Sequence, residues 1–300
     1  MKVKLFLLYI IVVIINFSTI NKKVQEKNIV KEETEVKKEI KKETETEKAE
    51  SQVEISIEIA GLSKGMYKVI DLKKLSEVQP IKDRHSVPRV VYSVDDVSLR
   101  GLEVSKKKKI FFEIMVPTAM IVVEEIEIER EKIKEMIDGK RKKDEAYLAK
   151  KYKKYRVANK NIRTLYKKMK PAPISILLSQ GILESGWGTS RFFEEANNVF
   201  GVWSVDPSEP RIKAGEARTN KQVYLRKYPT LKESMADYMR LLARHKAYSK
   251  FREKLQVTNN YKVLVPRLDK YSEMGEVYTD RLIDTIKYNK LYEYDSYEFK

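Results

Sequence analysis

The chain has 300 residues, with 61 Lys and Arg against 44 Asp and Glu, a formal net charge of +17, no cysteine and two histidines. That length allows one or two domains with a sizeable core, and the cationic excess reflects either a lysine-rich composition or a polyanionic partner: nucleic acid, anionic lipid or an anionic wall polymer. Without cysteine there is no disulfide, thiolate metal site, thiol nucleophile or lipid-modified cysteine anchor, and with only His85 and His245 neither a zinc hydrolase centre nor a Ser-His-Asp triad is expected.

Lys2 and Lys4 precede an unbroken apolar run from Leu5 to Ile15. The run is shorter than the roughly 20 residues that span a bilayer and fits the apolar region of a secretory signal. Phe17-Ser18-Thr19 is a poor cleavage match. Residues 1–20 therefore read as a signal peptide or as an uncleaved signal anchor, with membrane anchoring through residues 5–20. Either reading exports the rest. Residues 21–52 are Lys, Glu and Thr with scattered Val and Ile, offer no apolar face to bury, and read as a charged disordered linker. Residues 53–104 read as a small extension with short strands. Val53–Ile59 alternates apolar and polar, and Pro88 favours extended backbone at Val87. Asp95, Asp96 and Ser98 read as turn or cap residues.

From Lys106 the periodicity is helical. Pro117 predicts a kink or break, and Gly139 suits a helix end. Helices follow over about 144–157 and 161–168. Residues 140–170 are basic with interleaved tyrosines, which fits a solvated face whose tyrosines pack inward better than a track for single-stranded nucleic acid. Pro171 and Pro173 open a central apolar helix. The stretch after Trp203 is rich in turn residues. Lys221–Tyr228 reads as a strand, paired with residues 212–218 through a turn at Thr219-Asn220. Thr230 and Glu233 form a capping box that starts a helix through Ala243. Further helices are expected over about 248–255 and 278–289, with a loop at Tyr271–Gly275. No internal repeat is present.

The chemistry gathers in PISILLSQGILESGWGTSRFFEEANNVFGVW, residues 173–203. One carboxylate, Glu184, ends its apolar run. Desolvation and the negative end of the helix dipole both favour its neutral form. A neutral carboxylic acid is what protonates the leaving oxygen in glycoside hydrolysis. Gly186 and Gly188 allow a tight turn. Trp187 and Trp203 either offer flat faces to sugars or belong to the core. A second carboxylate is required as nucleophile or base in the common schemes, and Asp206, Glu209 and Glu216 are the candidates; Glu194 and Glu195 fall in a helix with Phe192 and Phe193.

Leu183-Glu184-Ser185-Gly186-Trp187-Gly188, followed by Asn197-Asn198-Val199-Phe200-Gly201, is similar to the signature of the bacterial glucosaminidases of glycoside hydrolase family 73. Val87-Pro88-Arg89, Lys108-Lys109-Ile110-Phe111-Phe112, His245-Lys246-Ala247-Tyr248, Tyr271-Ser272-Glu273, Tyr278 and Leu291-Tyr292-Glu293-Tyr294-Asp295 resemble its Bax-like branch. The resemblance spans about residues 85–296. It implies a mainly α, lysozyme-like domain over residues 105–300 with a small β-hairpin lobe. It implies hydrolysis of the β-1,4 bond after N-acetylglucosamine in peptidoglycan. Separately, the chain is expected to be a monomer with no cofactor, metal or nucleic-acid partner. Glu184 becomes the general acid, Glu216 the lobe carboxylate, and the family's site tyrosine falls on Tyr271 or Tyr278. Ser185, Trp187, Asn198, Phe200, Gly201 and Trp203 become substrate-binding. A lytic transglycosylase and a non-catalytic wall-binding scaffold are the alternatives.

Overall fold

The computed structural model describes residues 66–215 and 222–299. The predicted export segment, the linker, the Val53–Ile59 strand, the 219–220 turn and Glu216 lie outside the described residues.

The described chain opens with a parallel pair, β1 (Lys68–Asp71) and β2 (Val90–Ser93), in register from Lys68↔Val90 to Asp71↔Ser93. All four β2 residues are buried. Leu72, Val90, Tyr92 and Leu99 share one apolar core with the helices that follow, so residues 66–103 pack as part of that body.

Helix α1 (Val104–Ile137) starts where Glu103 accepts from the backbone N–H groups of Ser105 and Lys106 at 3.0 and 3.1 Å. The sequence predicts a kink or break at Pro117; the helix is unbroken through it. Burial is the reason. Ile114 to Val122 are all inside, and that packing outweighs the roughly 3 kcal/mol that an internal proline costs. The polar half of α1 ties down other elements: Glu124 pairs with Arg89 at 2.7 Å, Glu125 with Lys232 at 3.0 Å, and Glu129 with Lys151.

Helices α2 (Glu145–Tyr155) and α3 (Ile162–Lys168) pack on the far end of α1. Tyr147, Leu148, Tyr155 and Leu165 meet Ile133 and Met136 there, so packing accounts for the tyrosines among the lysines. Helix α4 (Ile174–Ser185) follows, then α5 (Arg191–Ala196). A three-stranded antiparallel sheet comes next, formed by β3 (Trp203–Ser204), β4 (Arg211–Lys213) and β5 (Tyr224–Arg226) in the order β3-β5-β4. The expected hairpin is present but shorter. β3 is not legible as a strand in the sequence: it has two residues, and it becomes one only by pairing Trp203 with Leu225. Helix α6 (Leu231–Arg244) begins on the predicted Thr230–Glu233 capping box. Helices α7 (Ser249–Leu255), α8 (Tyr261–Leu264) and α9 (Glu276–Tyr288) complete the body, with a 3₁₀ turn at Leu291–Ser296. Among the described residues no helix is long and apolar enough to cross a membrane.

Helix α4 lies at the centre, against α1, α9 and the Leu291–Ser296 turn. Ile176, Leu177 and Leu178 are fully buried. At Gly181 a Cβ would sit 2.9 Å from Met115 Cε, so glycine sets how closely α4 approaches α1. The first turn of α4 has no cap of its own, because Pro173 carries no acceptor side chain. Asp295 supplies it from across the fold, accepting from the Ser175 backbone N–H at 2.8 Å and the Ser175 hydroxyl at 2.7 Å.

Candidate active site

The last turn of α4 carries Glu184 to the rim of a cleft of about 620 Å³. Trp203 and Arg226 line one wall from the sheet, and Leu241 and Arg244 line the other from α6. Phe200, Gly201, Tyr248 and Tyr271 complete the part relevant to the site. A volume of this order suits a ligand of one or a few sugar rings.

After Glu184 the chain turns sharply. Gly186, Trp187 and Gly188 all take left-handed backbone, with φ of 58°, 62° and 75°. That conformation is open to glycine and strained for tryptophan. Packing holds Trp187 there, edge-on to Phe111 and Phe112 with centroids 5.5 and 5.6 Å away. At Gly188 a Cβ would approach Leu99 and Phe193 to 3.0 Å, so a side chain is excluded on steric grounds too. The Ser185 hydroxyl accepts from Gly188 N–H at 2.9 Å and donates to the Gly181 carbonyl.

A directed hydrogen-bond chain holds Glu184. The Tyr238 hydroxyl donates to Gln180 Oε1. Gln180 Nε2 donates to the Tyr278 hydroxyl at 3.2 Å, and that hydroxyl donates to Glu184 Oε1 at 2.7 Å. Tyr278 has one proton to give, so a protonated Glu184 carries its own proton on Oε2. Burial pushes the Glu184 carboxyl above its ordinary range, and the Tyr278 bond pulls it partly back. Tyr271 stacks on Tyr278 with centroids 5.5 Å apart and donates to the Phe200 carbonyl at 3.2 Å. Tyr278 thus touches the acid, and Tyr271 supports it and lines the cleft. Replacing Tyr278 by Phe removes the acid's only side-chain donor among the described residues. The alkaline limb of the kcat/KM–pH profile is then expected to move to higher pH, with kcat reduced about tenfold because the acid is no longer oriented. An unchanged profile would rule out this coupling.

The other sequence-selected residues divide. Phe200, Gly201 and Trp203 line the cleft; Trp203 is 65% exposed on β3, and Phe200 stacks on Tyr238 at 4.2 Å. Ser185 does not reach it, being fully buried with its hydroxyl spent on the turn. Asn198 is 1% exposed and spans the sheet's base, donating to the Val202 and Arg226 carbonyls at 3.0 and 2.9 Å. Trp187 faces a separate groove with Lys108 and Tyr288. Neither Asp206 nor Glu209 lines the cleft: Asp206 binds Ser208, and Glu209 pairs with Arg226. Glu194 pairs with Arg100 and Glu195 with Arg191.

Sequence reasoning missed Gln180, Tyr238 and Asp237. Asp237 is 3% exposed in the cleft wall and accepts from Arg226 at 2.6 Å, Tyr228 at 2.8 Å and Arg240 at 3.0 Å. Burial opposes its charge, but Arg240, Tyr228 and Arg226 together outweigh burial and hold its carboxyl below the ordinary range. It stays ionised and occupied. Among the described residues no group of three His, Asp or Glu side chains could hold a metal ion.

Comparison with known proteins finds similarity to glucosaminidases. The Glucosaminidase family model, described as mannosyl-glycoprotein endo-beta-N-acetylglucosaminidase, matches residues 159–291. Exo-glucosaminidase LytG of Bacillus subtilis (strain 168) is 32% identical over 139 residues, 44% of this chain and 49% of that protein. Protein bax of Escherichia coli (strain K12) is 28% identical over 125 residues, 40% of this chain and 43% of that protein. The chain thus spans about half the length of the curated relatives it matches. Among solved structures, the catalytic domain of the autolysin Auto from Listeria monocytogenes is similar at 19% identity and a TM-score of 0.41, over 65% of this chain and 91% of that one. Residues 159–291, which carry Glu184 and Tyr278, are thus the part of the chain that matches the glucosaminidase family of glycoside hydrolases.

Proposed function

We propose that the chain is a peptidoglycan hydrolase that cleaves the β-1,4 bond after N-acetylglucosamine, with Glu184 as general acid. The observation that carries this reading is the desolvated Glu184 carboxyl at the cleft rim, held through Oε1 by Tyr278. Its free Oε2 delivers the proton to the glycosidic oxygen as the bond breaks. Trp203 is the exposed flat face on which a sugar ring rests. Glu216, which falls between β4 and β5 in the sequence, is proposed as the second carboxylate. No cofactor takes part, and the chain works as a monomer outside the cytoplasm, exported by residues 1–20 and set at a distance by the linker. The net charge of +17 fits an anionic envelope polymer as its target.

A lytic transglycosylase has one specific observation in its favour. Among the described residues the second cleft carboxylate, Asp237, is fully engaged, so a route in which the substrate's own groups complete the reaction needs only Glu184. Mass spectrometry of products from purified sacculi separates the two. Reducing N-acetylglucosamine ends are expected; anhydro-muramic ends would replace hydrolysis by transglycosylation. Sacculus binding without new ends would leave a wall-binding scaffold.

A further inference from the structure

Arg244 closes α6 and lines the cleft beside Leu241 and Tyr248. Its guanidinium makes no hydrogen bond or ion pair among the described residues, unlike its neighbours. Arg226 reaches Asp237 at 2.6 Å and Glu209 at 3.1 Å, and Arg240 reaches Asp237 at 3.0 Å. Both oxygens of Asp237 are taken: Oδ2 by Arg226 and Tyr228, Oδ1 by Arg240. Arg244 therefore feels Asp237 only at a distance, while Arg156, Arg240 and Arg226 repel it and burial disfavours its charge. A half-buried guanidinium in that setting has five N–H donors to place and strongly favours an incoming anion. A planar, bidentate acceptor fits its fork best.

We infer that Arg244 is a specificity-determining residue that binds a carboxylate carried by the glycan strand. This rests on the peptidoglycan reading, and it deepens it. Neutral N-acetylglucosamine rings have no carboxylate. The muramyl residues of peptidoglycan carry a lactyl-linked peptide whose free carboxylates project from the strand. Trp203 on the sheet wall takes the sugar face, and Arg244 on the helical wall takes the appended anion. The cleft thereby prefers peptide-bearing strands to a bare aminosugar polymer.

The test compares soluble peptide-bearing glycan strands, free of phosphate-bearing wall polymer, with the same strands after their carboxylates are capped as neutral amides. Capping is expected to raise KM of the full chain about tenfold at unchanged kcat, as removal of one charge-assisted hydrogen bond does. In Arg244→Gln, KM on uncapped strands rises to the same level and capping has no further effect; Arg244→Lys recovers part of the difference, since it keeps the charge and loses the fork. Raising salt should narrow the wild-type preference and leave Arg244→Gln unaffected. Thermal melting of each variant separates weaker binding from weaker folding. Equal sensitivity to capping in wild type and Arg244→Gln overturns the inference, as does insensitivity in both. Wild type that cleaves neither substrate overturns the peptidoglycan reading itself, and the inference with it.

Discussion

Glu184→Gln is expected to reduce glycan cleavage by roughly a hundredfold to ten-thousandfold, the range that a positioned general acid supplies. The amide keeps an oxygen for Tyr278 to bond, so the side chain stays in place and only the transferable proton is removed. Release of soluble muropeptides from sacculi measures the effect, and full residual activity would remove Glu184 from the mechanism. The same variant makes a second, opposite forecast for stability. The folded-state pKa of Glu184 is raised by burial, so the folded protein binds this proton more tightly than the unfolded chain does. Wild-type stability from this group is complete below the ordinary carboxylate range and is lost as pH rises through the raised folded value. Glutamine has no such pH-dependent penalty. At neutral pH the variant should melt higher than wild type, with the gap closing in acid. Greater stability with lower activity is the signature of an acid kept in an environment that disfavours its charge.

Asp237→Asn is expected to be the most costly of these substitutions for stability. It removes the charge that Arg226 and Arg240 share, inside a wall where Asp237 itself is 3% exposed. Breaking one side of a buried ion pair typically costs 3–5 kcal/mol, and partial exposure of the two arginines sets the expectation near about 3 kcal/mol. For a body of this size that corresponds to a melting point lower by roughly 6–12 °C. The pH dependence has the opposite sign to that of Glu184. The folded pKa of Asp237 is lowered, so its contribution is present above the unfolded pKa and is lost as pH falls through the folded value. Wild type and variant should therefore converge in strong acid. The Arg226–Asp237 pair also joins β5 to α6, the two walls of the cleft. KM should rise as stability falls. A variant that melts like wild type would show the cluster to be electrostatically neutral in sum.

What the sequence makes readable is local. The apolar run ending at Glu184, the glycines after it and the Thr230–Glu233 box each encode an element within a few residues, and each appears where expected. What it conceals depends on distance along the chain. Tyr238 meets Gln180 across 58 residues and Tyr278 meets Gln180 across 98, spacings that no helical or strand period can express. Gln180 itself reads as one polar residue in a buried helix, with nothing nearby to say which tyrosines it joins. Ser185 and Asn198 sit inside the motif and so invite a reading as substrate contacts, yet their polar groups are consumed by the backbone that shapes the site. Pro117 is ambiguous for the converse reason: its local preference allows a kink or a break, and the burial around it keeps the helix unbroken. The β3 strand is two residues long and exists only through its partner.

The Asp295 cap on α4 links two points 120 residues apart. In the order of synthesis, the helix that carries Glu184 is made long before the group that completes its first turn. A chain stopped between Trp203 and Asp295 has the whole motif but lacks the group that caps its central helix. Completing that first turn therefore needs long-range loop closure as well as local helix formation. If the proposed glycan cleavage is right, chains cut short of Asp295 are expected to cleave more slowly than chains that contain it, because the helix bearing Glu184 lacks its cap.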